Sequence, residues 1–121
     1  MLFEMQRTSV GGCPTLAVRG ELDLATAPQL AAVVEAHLAA APRALVVDLT
    51  HTIFLDSSGA RELVRMAKKA AAAGVPLHVV APRSNTAVRL TIDLLDLGAV
   101  VPLVESAAEI PSGVTEGEVH P

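Results

Sequence analysis

The segment Phe54-Leu55-Asp56-Ser57-Ser58-Gly59 sets two hydroxyls between a carboxylate and a glycine. Hydroxyls in such a place can cap a helix, attack a substrate, or accept a phosphoryl group. Asp and Ser are favoured N-cap residues, but one cap accounts for only one of these side chains. A helix start also carries free N–H groups whose partial positive charge suits an anion. Nucleophilic catalysis would need a base within hydrogen-bond reach of Ser57 or Ser58. The Gly-x-Ser-x-Gly elbow is absent, because Leu55 and Asp56 precede Ser57. Among His37, His51, His78 and His120, His51 is nearest in the chain. The histidine spacing matches no metal motif, and a lone Cys13 offers no thiolate cluster. Neither Gly-x-Gly-x-x-Gly nor Gly-x-x-x-x-Gly-Lys-Ser/Thr occurs, so no nucleotide or other cofactor is expected. Arg61, Arg65, Lys68 and Lys69 share part of one helix, either as its solvated face or as a patch facing a partner.

The chain has 121 residues, which fits one domain with a core of its own. Hydrophobic residues make up 51% and charged residues 18%, a balance that excludes disorder over the whole length. The net charge of −4 argues against a chain built to neutralise nucleic-acid phosphates. With two Phe, no Tyr and no Trp, stacking on bases is nearly excluded. Residues 1–12, MLFEMQRTSVGG, lack the basic start and apolar run of a signal peptide. No apolar stretch reaches membrane-spanning length, so a cytoplasmic protein is expected.

Apolar and polar residues alternate from Leu2 to Arg7, apart from Leu2 itself, as in a half-buried strand. Turn residues 11–14 follow, and Thr15 to Gly20 reads as a second strand of an antiparallel hairpin. Thr26 and Gln29 have capping-box spacing, with Pro28 in the first turn. A helix is predicted from Ala27 to Ala40, with Leu30, Val33, Val34 and Leu38 inward and Pro42 as its stop. Ala44 to Leu49 is an apolar run interrupted only by Asp48, the pattern of a central strand buried on both faces. A short loop then leads through Ser57-Ser58-Gly59 into a helix over Ala60–Ala73. Leu63, Val64, Ala67, Ala70 and Ala71 carry its period, and Gly74 ends it. Leu77–Val80 is a strand. Ser84 is the predicted cap of a helix running to Asp96, with Val88, Ile92 and Leu95 inward and Gly98 beyond its end. Val100–Val104 reads as an edge strand, and Ser106–Glu109 as about one turn before Pro111.

This order predicts an α/β domain over residues 1–110. Its mixed sheet has four to five strands, a parallel centre and an N-terminal antiparallel hairpin. Three long helices and a short last one cover it, on one face or on both. Residues 111–121 are predicted to be a disordered tail.

Four blocks together resemble the STAS domain family, and more narrowly its stand-alone bacterial anti-sigma factor antagonists. They are Gly20-Glu21-Leu22-Asp23, Thr26-Ala27-Pro28, Val47-Asp48-Leu49-Thr50 and Phe54-Leu55-Asp56-Ser57-Ser58-Gly59. The resemblance covers about residues 3–110. It implies no enzymatic activity of the chain's own. It implies an unphosphorylated antagonist that binds an anti-sigma factor with serine kinase activity and so frees the sigma factor. The kinase then phosphorylates the first serine of Asp-Ser-Ser-Gly, here Ser57, and a phosphoserine phosphatase resets it. Asp56, Ser58 and Gly59, with Asp23 and Thr26 on the neighbouring loop, map to the partner-binding surface. Ala60 stands where the family usually has Leu, and Pro111 shortens the last helix. Two other readings remain. One is a non-catalytic STAS accessory subunit of a lipid-transport ABC complex, and the other a hydrolase using Ser57.

Overall fold

A two-residue turn, Gly11-Gly12, folds strand β1 (Phe3–Val10) back on β2 (Cys13–Leu22), with Val10 opposite Cys13. This is a computed structural model, and it describes residues 3–110. Leu2 and the predicted tail at 111–121 lie outside the described residues. After the hairpin come α1 (Ala27–Ala39), β3 (Leu45–Asp48), β4 (Thr52–Leu55), α2 (Ser57–Ala72), β5 (Leu77–Val80), α3 (Thr86–Leu94) and β6 (Leu103–Val104). Single 3-10 turns stand at Leu97–Ala99 and Ala107–Glu109.

The sheet runs β1-β2-β3-β5-β6, antiparallel in the hairpin and parallel elsewhere, with β3 at its centre. It has six strands, one more than the sequence pattern suggests. The extra strand is β4, which lies where a loop was expected. It pairs with β2 alone. The first half of β2 pairs β3 at Thr15–Ala17, and its second half pairs β4 at Gly20–Leu22. The register shifts between Gly20 and Glu21, where Gly20 takes a φ of +97° that a side chain would resist.

Alternation along the strands divides the apolar residues between two faces. Leu45, Val47, Leu77 and Val79 join Leu30, Val34, Leu63, Met66, Val88 and Ile92 in one large core. All three helices therefore cover the same face. Complete burial of a Leu or Ile side chain there contributes roughly 1.5–3 kcal/mol. On the opposite face Val46 and Val80 pack with Cys13, Ala44 and Ile110 in a smaller cluster.

Helix faces differ from expectation at three positions. Ala71 and Leu95 are exposed, and Met66 is buried instead. Leu95 turns outward because α3 ends at Leu94, ahead of an Asp96 in the left-handed region at φ 52°. Asn85, rather than Ser84, caps α3, its side chain accepting a hydrogen bond from Val88 N at 3.3 Å.

His78 alternates with the helix-facing Leu77 and Val79 and so shares the opposite face with Val80. Burial there pushes its pKa below the ordinary value of 6.5. The unfolded chain thus binds the proton more readily than the folded one. Its contribution to stability is present above pH 6.5 and is lost as the pH falls through the depressed value. We expect His78→Gln to lose less stability than the parent between pH 7.5 and pH 5.5, measured by urea denaturation. An unchanged pH dependence would remove His78 from the acid response.

Candidate functional site

The carboxyl ends of β2 and β4 lie side by side, Leu22 opposite Leu55. Asp56 follows in an extended conformation and caps α2, its Oδ1 accepting from Gly59 N at 2.9 Å. Asp56 N in turn donates to Leu22 O at 3.4 Å. The carboxylate thus performs the capping that could have occupied a serine. Ser57, at the first helical position, is exposed, and Ser58 is half-buried. Among the described residues, neither hydroxyl has a hydrogen-bond partner.

Gly59 explains how the two chain segments meet. A Cβ at this position would stand 2.3 Å from Leu22 O and 2.9 Å from a Leu55 methyl. Only a residue without a side chain lets the first turn of α2 rest on the end of β2. The close approach brings the loop that begins at Asp23 to the serines.

That loop is tied by its own side chains. Asp23 Oδ1 accepts from Ala25 N at 3.0 Å and Thr26 N at 3.1 Å. Thr26 Oγ1 donates to Glu21 O at 2.7 Å and accepts from Asp23 N at 2.9 Å. The expected capping box is therefore replaced: the Thr26 hydroxyl faces backward, with no side-chain cap on α1. Asp23 and Thr26 shape the loop, and Leu24 is left at its surface, 74% exposed.

Helix α3 supports the same end of the sheet. Thr91 Oγ1 donates to Leu55 O at 2.6 Å. The Asn85 amide reaches Thr52 O at 2.7 Å, Leu49 O at 3.0 Å and Thr50 O at 3.3 Å. Sequence reasoning did not single out Thr91 or Asn85. Asn85 carried the only available signal, being a cap residue beside another. Leu24 on the loop, Phe54 on β4, and Leu90 and Leu94 on α3 are exposed apolar side chains.

His51 is exposed in the turn before β4. The whole of β4 separates it from Ser57, roughly 13 Å at about 3.3 Å per residue. It is too far away to serve as a general base for Ser57. An open cleft of about 520 Å³ lies around Arg19, His51 and Asn85, and none of the Asp56–Gly59 residues lines it. Among the described residues no group of three or more His, Cys, Asp or Glu is placed to hold a metal ion.

The four cations of α2 are not equivalent. Lys69 Nζ pairs with Glu35 at 2.6 Å, and Arg65 lies 3.6 Å from Glu62. The hydrogen bond and charge of Lys69 hold the Glu35 carboxyl below its ordinary pKa. Arg61 and Lys68 are exposed and have no ion-pair partner among the described residues.

The family model described as "Mlab, STAS domain" matches residues 5–105. Among solved structures, an anti-sigma factor antagonist from Mycobacterium paratuberculosis is 30% identical, with a TM-score of 0.74 and 87% of each chain covered. The protein tm1081 from Thermotoga maritima is 19% identical, with a TM-score of 0.76, over 93% of this chain and 92% of that one. The Bacillus cell fate determinant SpoIIAA in its phosphorylated form is 16% identical, with a TM-score of 0.61, over 88% of this chain and 95% of that one. The latter two are alike in fold alone. No curated protein matches the chain. No helix of the described residues is long and apolar enough to cross a membrane. The match across most of the length, on a sheet and a helix start that assemble the Asp-Ser-Ser-Gly site, shows that the chain belongs to the STAS domain family.

Proposed function

We propose that the protein is an anti-sigma factor antagonist switched by phosphorylation of Ser57. The observation that carries this reading is the exposed Ser57 hydroxyl, released from capping by Asp56 and standing next to the loop that bears the exposed Leu24. The antagonist of known structure that is 30% identical supports the general role. In the unphosphorylated state the surface formed by Asp23, Thr26, Asp56, Ser57 and Ser58 docks an anti-sigma factor that is also a serine kinase, and Gly59, buried beneath it, holds α2 against β2 rather than touching the partner. The kinase transfers the γ-phosphoryl group of ATP to Ser57 Oγ. The bond to ADP breaks, an O–P bond forms, and the hydroxyl proton passes to a base of the kinase. A phosphoserine phosphatase hydrolyses the ester and restores the hydroxyl. The cycle runs in the cytoplasm and needs no cofactor on this chain.

Phosphorylation adds about 1.5 to 2 negative charges at pH 7. Burying them in a docked interface without partners costs several kcal/mol. The Asp56 carboxylate adds repulsion. A helix N-terminus returns only about 0.3–1 kcal/mol when exposed. Disruption therefore wins.

The test is affinity capture from native lysate on Ser57→Ala and Ser57→Asp baits, read by mass spectrometry. A small kinase-like ATPase should stay on the Ala bait and be lost from the Asp bait. Its affinity should differ at least tenfold, about 1.4 kcal/mol. Equal retention on both baits overturns the switch. Transporter subunits held equally by both would point to the accessory-subunit reading instead.

A further inference from the structure

Ser57 opens α2, and Arg61 stands four residues later on the same helix. Side chains at that spacing lie one above the other on the helix surface. Both residues are exposed. The other cations nearby are committed or distant. Arg65 pairs with Glu62, Lys69 pairs with Glu35, and Lys68 lies two further turns along. The guanidinium one turn below the serine has no carboxylate partner among the described residues. The order also matters, since an acidic group preceding a basic one by four residues is the better-oriented pair.

We infer that Arg61 is the intramolecular phosphate anchor of this domain, holding a phosphoryl group on Ser57 against the surface of α2. The inference rests on the reading of Ser57 as a phosphorylation site. A phosphoserine supplies three acceptor oxygens, and a guanidinium supplies donors in a planar fork that matches them. Asp56 on the other side would repel the same group, and Arg61 offsets that repulsion. The modified helix start then stays ordered. Phosphorylation alters the docking surface by charge and leaves the fold beneath it intact. A destabilising phosphate, by contrast, would switch the protein by loosening α2.

The anchor can be tested without a kinase or a partner. Phosphoserine is incorporated at position 57 during synthesis of the full chain, in the parent and in Arg61→Gln and Arg61→Lys forms. Phosphorus-31 NMR titration then reads the second ionisation of the phosphate, ordinarily near pH 6. A paired guanidinium favours the dianion, so Arg61→Gln should raise the midpoint by roughly 0.3 units or more. Arg61→Lys should restore part of the shift, and the shift should shrink in high salt. The melting temperature of the phosphorylated parent should match or exceed that of the unmodified chain, and Arg61→Gln should lose this protection. Identical titrations in the parent and Arg61→Gln would overturn the anchor. So would a melting temperature that falls equally in both upon phosphorylation. Failure of the switch itself would show in the Ala and Asp capture experiment, and these titrations would be unaffected.

Discussion

Gly59→Ala is expected to unfold the domain at a temperature roughly 10 °C below that of the parent. The added Cβ would meet Leu22 O at 2.3 Å, a backbone atom that no rotamer change can move aside. Relief requires the start of α2 to lift away from β2, or the β2–β4 pairing to shift. Either would strip packing from Leu22 and Leu55, which are among the largest fully buried side chains. We expect a cost of about 3 kcal/mol, at the upper end of overpacking effects. Gly98→Ala is the internal comparison. There the added Cβ meets only a Leu103 methyl at 3.4 Å, and that side chain can yield. Its effect should stay within about 1 kcal/mol of zero, with either sign possible. Equal melting temperatures for the two variants would show that close approach is not what position 59 requires.

The second large effect is expected at Asn85. Its amide donates toward three carbonyls of the β3–β4 connection, and its oxygen caps α3. Asn85→Ala removes both functions, taking from Thr52 O its 2.7 Å donor, while Leu49 O still accepts from Thr52 N at 3.0 Å. A lost cap costs about 1 kcal/mol, and an unsatisfied buried group about 1–3 kcal/mol. Together they should lower stability by about 3 kcal/mol. Asn85→Ser separates the terms, because serine can cap but cannot reach the carbonyls. Its urea midpoint should lie much nearer to that of Asn85→Ala than to the parent. Full stability in Asn85→Ser would assign the whole contribution to capping.

The same residue illustrates where sequence reading stops. Ser84 and Asn85 are both good caps, and local propensity does not choose between them. The choice falls to carbonyls more than thirty residues away in the chain. Thr26 is parallel. Its spacing to Gln29 fits a capping box, yet the hydroxyl is drawn to Glu21 O at the end of β2. Strand β4 was missed for a different reason. Four residues between a buried strand and a helix carry too little periodicity to separate strand from loop. Elements with a continuous apolar run, a clear period or turn residues were plain. The hairpin, β3, β5 and α2 lie within a few residues of their expected bounds, because each carries its own apolar pattern or turn residues. The site was legible as residue types, Asp56 through Gly59 next to the loop at Asp23. The division of labour among them was not. Asp56 as cap, Gly59 as the point of contact and Asp23 with Thr26 as ties all depend on distances that only the folded chain supplies.

The divided partnership of β2 has a consequence for how the molecule breathes. One half of this strand is bonded to β3 and the other to β4, with the register interrupted at Gly20 and Glu21. Proteins open locally in contiguous cooperative units, and segments with fewer neighbours open at lower cost. β4 has one strand partner where β3 has two, so the β4 end is expected to open separately from β3 and β5. Amide protons of Phe54 and Leu55 should then exchange with solvent deuterium through a smaller opening than those of Val46 and Val47. The half of β2 on which the serine-bearing start of α2 rests is free to adapt to what it meets, and the other half keeps the memory of the fold.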